Sequence, residues 1–411
     1  MNYFVVSDLH IGFGPLADFT NDHDLVRFLD SRTRGDHVVF NGDAFDFAQT
    51  PASRSEEVPS PSVEGNPTLG ATEEESRRKL QLIVEGHPEL FDAMREMTLN
   101  RGVRITFVAG NHDVDLLWPG VTDDLARACG TGGIPGTVSR DLRLDSKKHA
   151  DVIVFHGHQH AGPANRFDRW DDGPFLTSRD GVRHLEQPWG ARLMTSLMNP
   201  VDLHFPFVDN IRPLSRLAVA CRRTNKRYLA ILRELITSQL GDVLAIDSDS
   251  QLPIDDARKL RVYGGLENEE AIAWLGTVAV DGGTELDAGL LVHRDARSSV
   301  LMDIHGRESK ELARHAESLL RRGYSLVICG HTHERIPIGL GRAQYINTGT
   351  WIPYMKPGVD NILPTGEIER YRRHDPELFD VSLTYATFEH DAVEGLIGEA
   401  CLEPWPLTSG C

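Results

Sequence analysis

The sequence predicts an α/β protein on three observations. Short apolar runs end in small or polar residues, helical patterns lie between them, and residues able to bind metals or move protons collect where the runs end. The runs are "YFVVS" from Tyr3, "HVVFNG" from His37, "RITFVAG" from Arg104, "DVIVFHG" from Asp151 and "SLVICG" from Ser325. All are short, rich in Val, Ile and Phe, and closed by Gly, Ser or Asn, the mark of buried strands. The helical patterns are "DHDLVRFLDSR", with Leu25, Phe28 and Leu29 on one face, then "EEESRRKLQLIVEG" and "PELFDAMREM". The last is "GRESKELARHAESLLRRG", with Leu312, Ala316, Leu319 and Leu320 at helical spacing.

Two stretches interrupt the alternation. Gln49 to Thr72 is rich in Pro, Ser, Glu and Gly and reads as a loop. Gly162 to Ile304 carries a long helical pattern from Arg212 and a second around "ENEEAIAWLGTV", and reads as a mainly helical insertion between two core strands. The expected organisation is a core over 1–161, an inserted cap over 162–304, the rest of the core over 305–390 and a tail over 391–411.

Composition narrows the function. The chain has 411 residues, more than one ordinary domain, and a net charge of −18. That charge repels a phosphate backbone and disfavours sequence-independent nucleic-acid binding. The five cysteines are scattered without a CxxC pair, so neither a disulfide framework nor a thiolate zinc site is indicated. The start "MNYFVVSDLHIG" has no leader pattern and no run reaches membrane-span length, so a cytoplasmic protein is expected.

The polar clusters fall in a fixed order. "SDLHIG" supplies Asp8 and His10, "NGDAFDF" supplies Asp43 and Asp46, and "AGNHDVD" supplies Asn111, His112 and Asp113. "FHGHQH" supplies His156, and "CGHTHE" supplies His331 and His333. Carboxylate, amide oxygen and imidazole without thiolate suit divalent Mn, Fe, Co or Zn. The donors outnumber the needs of one ion, and a carboxylate can bridge two ions roughly 3.5–4 Å apart, a clamp for displacement at phosphorus.

The ordered pattern D-x-H, G-D-x-x-D, G-N-H-D, H-G, G-H-x-H resembles the calcineurin-like metallophosphoesterases, over about Met1–His160 and Gly306–Trp351. The resemblance implies a four-layer α/β/β/α sandwich of two mixed sheets. It implies one metal on Asp8, His10 and His333, a second on Asn111, His156 and His331, and Asp43 bridging them. Manganese is the ion expected to support activity in vitro. The implied reaction is hydrolysis of a phosphomonoester or phosphodiester by in-line attack of a bridging hydroxide. His112 protonates the leaving oxygen in that scheme, and Asp46 orients His112.

Around this set, Asp113 is expected to brace its loop, Asp115 to be structural, and Asn347, Thr348 and Gly349 of "YINTGTW" to flank the site. His158 and His160 are read as neighbours of the site, facing substrate or solvent rather than metal. Asn165 and Arg166 of "GPANRFDRW" are candidates for substrate phosphate. The segment Arg212–Arg233 carries seven basic residues and no acidic one, which suits either an anion-attracting helix or a solvated face. The apolar stretch Leu193–Asn210 reads as cap packing, with a substrate pocket or a homodimer contact as the other readings.

The substrate expected is a small or medium phosphate ester. A lipid-linked UDP-sugar pyrophosphatase is the alternative that a helical cap suggests, but those enzymes carry Arg where this chain has His112, and this cap is longer. A nuclease is disfavoured by charge. A eukaryotic-type protein phosphatase lacks support because Phe47 stands where their arginine follows G-D-x-x-D. A metal-binding scaffold without catalysis is the non-enzymatic reading.

Overall fold

In the computed structural model the described residues are 1–56, 59, 68–132, 137–147, 150–162, 164–205, 307–340, 343–355, 379–380 and 382–406. All five apolar runs are strands. They are β1 (Asn2–Val6), β2 (Asp36–Asn41), β3 (Arg104–Val108), β6 (Ala150–Val154) and β9 (Leu326–Cys329). The four helical patterns are α1 (Asp22–Asp30), α2 (Glu73–Gly86), α3 (Pro88–Leu99) and α8 (Arg307–Arg321). Thr72 opens α2 with a capping box, its hydroxyl accepting from Glu75 N–H while the Glu75 carboxylate accepts from Thr72 N–H.

Short elements fill the chain between these. They are α4 (Pro119–Ala128), β4 (Val138–Ser139), β5 (Leu142–Asp145) and α5 (His158–Ala161), then the hairpin β7 (Phe175–Thr177) and β8 (Arg183–Leu185). After it come α6 (Trp189–Leu193), a π-helical turn over Met194–Met198, and α7 (Asn199–Asp202). The chain ends with β10 (Arg335–Leu340), β11 (Ala343–Thr348), the pair β12 (Tyr354–Met355) and β13 (Phe379–Asp380), then β14 (Thr384–Asp391) and β15 (Gly395–Pro404).

Two mixed sheets form. One runs β15-β14-β1-β2-β3-β4, parallel from β1 to β4 and antiparallel at the β14 and β15 edge. The other runs β10-β11-β9-β6-β5, with β11, β9 and β6 parallel. They pack face to face through Tyr3, Val5, Val39 and Val108 of the first and Val152, Val154, Leu326, Ile328 and Ile346 of the second. Alternate residues point the other way, as the pleat requires. Val38, Phe40, Ile105 and Phe107 meet Phe28, Ile83, Phe91 and Met94 of α1, α2 and α3. Ile153, Val327 and Tyr345 meet Leu312, Ala316 and Leu319 of α8. The result is the expected four-layer α/β/β/α sandwich of two mixed sheets.

Phe40 and Phe107 stack at 4.8 Å and 9° in the helix-facing core. Phe107→Ala is expected to destabilise the chain by about 3–5 kcal/mol, read as a lower urea midpoint.

The segment expected as a tail contains an edge strand. Gly395–Pro404 pairs antiparallel with β14, which pairs with β1, so the chain end closes the first sheet. The inward positions of β14 include Thr384 and His390, which break a purely apolar alternation and hide the strand in the sequence. Of the expected cap, 164–205 is described, and the basic segment Arg212–Arg233 lies outside the described residues, as does the helix expected around residues 267–278.

A candidate metal centre at the carboxyl ends of five strands

The parallel strands β1, β2 and β3 of one sheet and β6 and β9 of the other all end at the same edge, where α/β sheets place their ligands. Each is followed by one of the polar clusters. Loop pairing continues past the strands: Asp8 N–H donates to Gly42 O at 3.1 Å, His10 N–H to Asp43 O at 2.9 Å, and Gly330 N–H to His156 O at 2.9 Å. With His331 N–H donating to the Asp8 carboxylate, residues 323 positions apart meet in one pocket.

The backbone there is forced into an unusual state. Among the described residues the non-glycine residues with positive φ are Asp8, His10, Asp43, His331 and His333, between 49° and 72°. That left-handed region costs roughly 1–2 kcal/mol per residue. All five are predicted ligands. Strain confined to such positions persists only where the surroundings over-determine it, as they do at functional sites.

The ligand atoms converge in two groups, Asp8 with His10 and His333, and Asp43 with His156 and His331. In the first, His10 Nε2 lies 3.3 Å from His333 Nε2, and His333 Nε2 lies 3.4 Å from Asp8 Oδ1. In the second, His156 Nε2 is 3.0 Å from Asp43 Oδ2. The same Asp43 oxygen is 4.0 Å from His10 Nε2, so Asp43 stands between the groups. A third group, His10, Asp46 and His112, is held by hydrogen bonds: Asp46 Oδ2 accepts from Nδ1 of both imidazoles at 2.9 Å.

Outer partners set the tautomers. A carboxylate or carbonyl only accepts, so Nδ1 carries the proton in His10 and His112, facing Asp46, and in His156, whose Nδ1 donates to Asn41 O at 3.0 Å. The Nε2 atoms of His10 and His156 face the pocket, the orientation outer partners give metal-binding histidines. Asn41 also donates from Nδ2 to Phe155 O at 3.1 Å, tying the two sheets together beside the site.

The pocket attracts positive charge. Burial opposes ionisation of Asp43, but His156 and His112 hold its carboxyl well below the usual range. Burial likewise opposes ionisation of Asp8, which His156 and His333 hold below its ordinary value. Burial works against protonating His156, yet Asp43 and Asp8 push it up to about 9. Two buried carboxylates that hold a proton on a neighbouring imidazole would hold a metal cation in its place. Asn111 Oδ1 is buried without a hydrogen-bond partner among the described residues, as an amide oxygen kept for a ligand would be. The donor set, oxygen and imidazole without sulfur, fits divalent first-row metals.

Neighbouring residues hold the cluster rigidly. Asp113 accepts from Gly110 N–H at 2.6 Å and Ala44 N–H at 2.8 Å, bracing the two loops, and Asp115 accepts from Ser76 at the start of α2. Asn347 donates to Gly330 O at 2.8 Å and supports the turn carrying His331 and His333. Phe47 is buried and its N–H donates to His112 O. Ser7, whose sequence context assigns it no role, donates to Asp8 Oδ2 at 2.5 Å and contacts Thr348 Oγ1 at 2.6 Å. Its signal was its place just before Asp8, but that says nothing about which way the hydroxyl faces. Of the two phosphate candidates, the Asn165 amide packs against Gly190, and Arg166 is exposed on the side of His160. His160 stacks on His315 at 3.6 Å. His158 is buried beside His156 and His331.

Two glycines are required by close approach. A Cβ on Gly330 would meet Asp8 Oδ2 at 2.5 Å, and one on Gly110 would collide with Asp43 Oδ1. Gly110→Ala is expected to displace Asp43, lowering divalent-metal affinity along with stability by about 1–3 kcal/mol. Calorimetric metal titration of the folded variant checks this, and wild-type affinity would contradict it.

No family model matches the chain, and no curated protein matches it. Solved structures similar to it include a Staphylococcus aureus protein assigned as a 5′-nucleotidase, in complex with alpha-ketoglutarate. Identity is 12% and the TM-score 0.33, over 99% of this chain and 55% of that one, so the chain spans about half that protein's length. Another is the phosphopantetheinyl hydrolase of Mycobacterium tuberculosis, at 12% identity and a TM-score of 0.28, over 85% of this chain and 89% of that one. Among the described residues no helix is long and apolar enough to cross a membrane.

Proposed function

We propose that the chain is a divalent-metal-dependent phosphoester hydrolase acting on a small or medium organic phosphate. The observation that carries this reading is Asp43 Oδ2 standing between two convergent groups of Asp and His ligand atoms. In this reading Asp8, His10 and His333 hold one ion, Asn111, His156 and His331 hold the other, and Asp43 is shared. Such a pair supplies Lewis acidity and a nucleophile at neutral pH.

The chain's own residues do the rest. Asp8, fixed by His331 N–H at 3.0 and 2.9 Å, and Asp43, fixed by His112 N–H at 2.8 Å, keep their carboxylates aimed at the pocket. Burial alone would raise the Asp46 carboxyl, but His112 and His10 hold it below the ordinary range, so it stays ionised. It thereby stabilises a protonated His112 and leaves Nε2 as the atom that passes a proton to the departing oxygen. Asp46 also orients His10, so one carboxylate serves both the metal-binding and the proton-transfer side. The insertion expected over 162–304 is proposed to set substrate choice, because it leaves the core directly after α5.

Metal-stripped protein titrated with Mn²⁺ should take up two ions per chain by elemental analysis. It should then hydrolyse p-nitrophenyl phosphate or bis-(p-nitrophenyl) phosphate. Preference between them separates monoesterase from diesterase. Two bound ions with neither ester cleaved would instead favour a metal-binding scaffold, and no uptake at all would overturn the reading.

A further inference from the structure

Arg140 leaves the first sheet at the edge that carries the candidate centre. β4 runs parallel to β3, and Ala109 N–H donates to Ser139 O at 2.8 Å, so Arg140 emerges beside the turn of Asn111 and His112. Its Nε is buried without a hydrogen-bond partner, and no carboxylate among the described residues pairs with it. An unpaired guanidinium is unexpected in a chain of net charge −18. It lies 6.0 Å from the centroid of Trp170, which is half-buried.

Trp170 in turn meets His158 edge-on at 4.5 Å and 82°. His158 is 2% exposed, and neither of its ring nitrogens has a hydrogen-bond partner among the described residues. Its ring is 5.5 Å from that of His156 and 6.3 Å from that of His331. Side chains therefore lead outward from the candidate ligands through an imidazole with unmet nitrogens and an indole to an unpaired cation. Core packing explains the indole but leaves the imidazole and the guanidinium unsatisfied, and buried polar groups are normally matched.

We infer that His158, Trp170 and Arg140 form a subsite for the alcohol part of the phosphate ester, and that this part carries a planar ring and a second negative charge. The ring stacks on Trp170, a ring nitrogen of His158 bonds to it, and Arg140 pairs with the second anion. A nucleoside bisphosphate has this chemistry, its alcohol part being a nucleotide such as AMP, whereas simple alkyl phosphates do not. The inference rests on the hydrolase reading for the position of the ester, but binding to the subsite can be measured without turnover.

The test uses the full chain, with Arg140→Gln and Trp170→Phe as variants mild enough to keep the fold and Trp170→Leu as the stronger one. Calorimetry without added metal compares AMP with adenosine. AMP should bind, Arg140→Gln should weaken AMP about tenfold and adenosine little, and Trp170→Leu should weaken both about tenfold. With Mn²⁺, the ratio of kcat/KM for adenosine 3′,5′-bisphosphate over glycerol 2-phosphate should fall about tenfold in Arg140→Gln. The inference is overturned if the wild type binds no AMP, if the folded variants bind it as the wild type does, or if that ratio is unchanged. Arg140-dependent AMP binding without hydrolysis of either ester would leave the subsite standing and remove the hydrolase.

Discussion

Asp43→Ala is expected to lower bound divalent metal and turnover together, activity by more than about 100-fold, beyond the 10–100-fold typical of losing an outer partner of a metal ligand. The Asp43 carboxylate faces both ligand sets, at 3.0 Å from His156 Nε2 and 4.0 Å from His10 Nε2. Its other oxygen accepts from His112 N–H at 2.8 Å, so the alanine variant also frees the His112 turn. Asp43→Asn separates the two effects, because it can still accept that hydrogen bond while lacking the charge. Metal content by elemental analysis should fall in both variants. Full occupancy in Asp43→Asn would show that the charge of Asp43 is not what binds the ions.

His112→Ala is expected to behave differently, keeping its metal while kcat falls about 10²–10⁴-fold, the usual loss for a general acid. The geometry gives the reason. His112 Nδ1 is engaged by Asp46 at 2.9 Å, and His112 belongs to neither ligand set that contains Asp43 or Asp8. A leaving group that needs no proton, such as p-nitrophenolate, should lose less than an alkoxide. Wild-type kcat on an alkyl ester would remove His112 from the chemistry, and loss of metal would make it a ligand instead. The contrast between the two variants is the informative result, since a general structural defect would lower both readouts alike.

Much of this site was legible because the determining signals are local. A strand followed by Gly and a ligand shows in a handful of residues, and "NGDAFDF", "AGNHDVD" and "CGHTHE" carry both the donor and the glycine its packing demands. Gly110 and Gly330 illustrate it: each stands where a side-chain Cβ would strike a carboxylate from another strand. Other partners left little local mark. Ser7 and Asn41 lie inside the motifs, yet their function depends on Thr348 and Phe155, reached only when the chain returns.

The sequence by itself determined the five strands, the four core helices and the donor chemistry of the candidate site, because periodicity and residue type are properties of neighbouring residues. Tertiary structure decided which of them meet. It set the left-handed backbone at Asp8, His10, Asp43, His331 and His333, the closing of the first sheet by β14 and β15, and the meeting of Arg140, Trp170 and His158. Those outcomes depend on pairings between segments tens to hundreds of residues apart. Only the packing of two sheets against each other fixes such pairings, since each buries apolar faces that no single segment can cover alone.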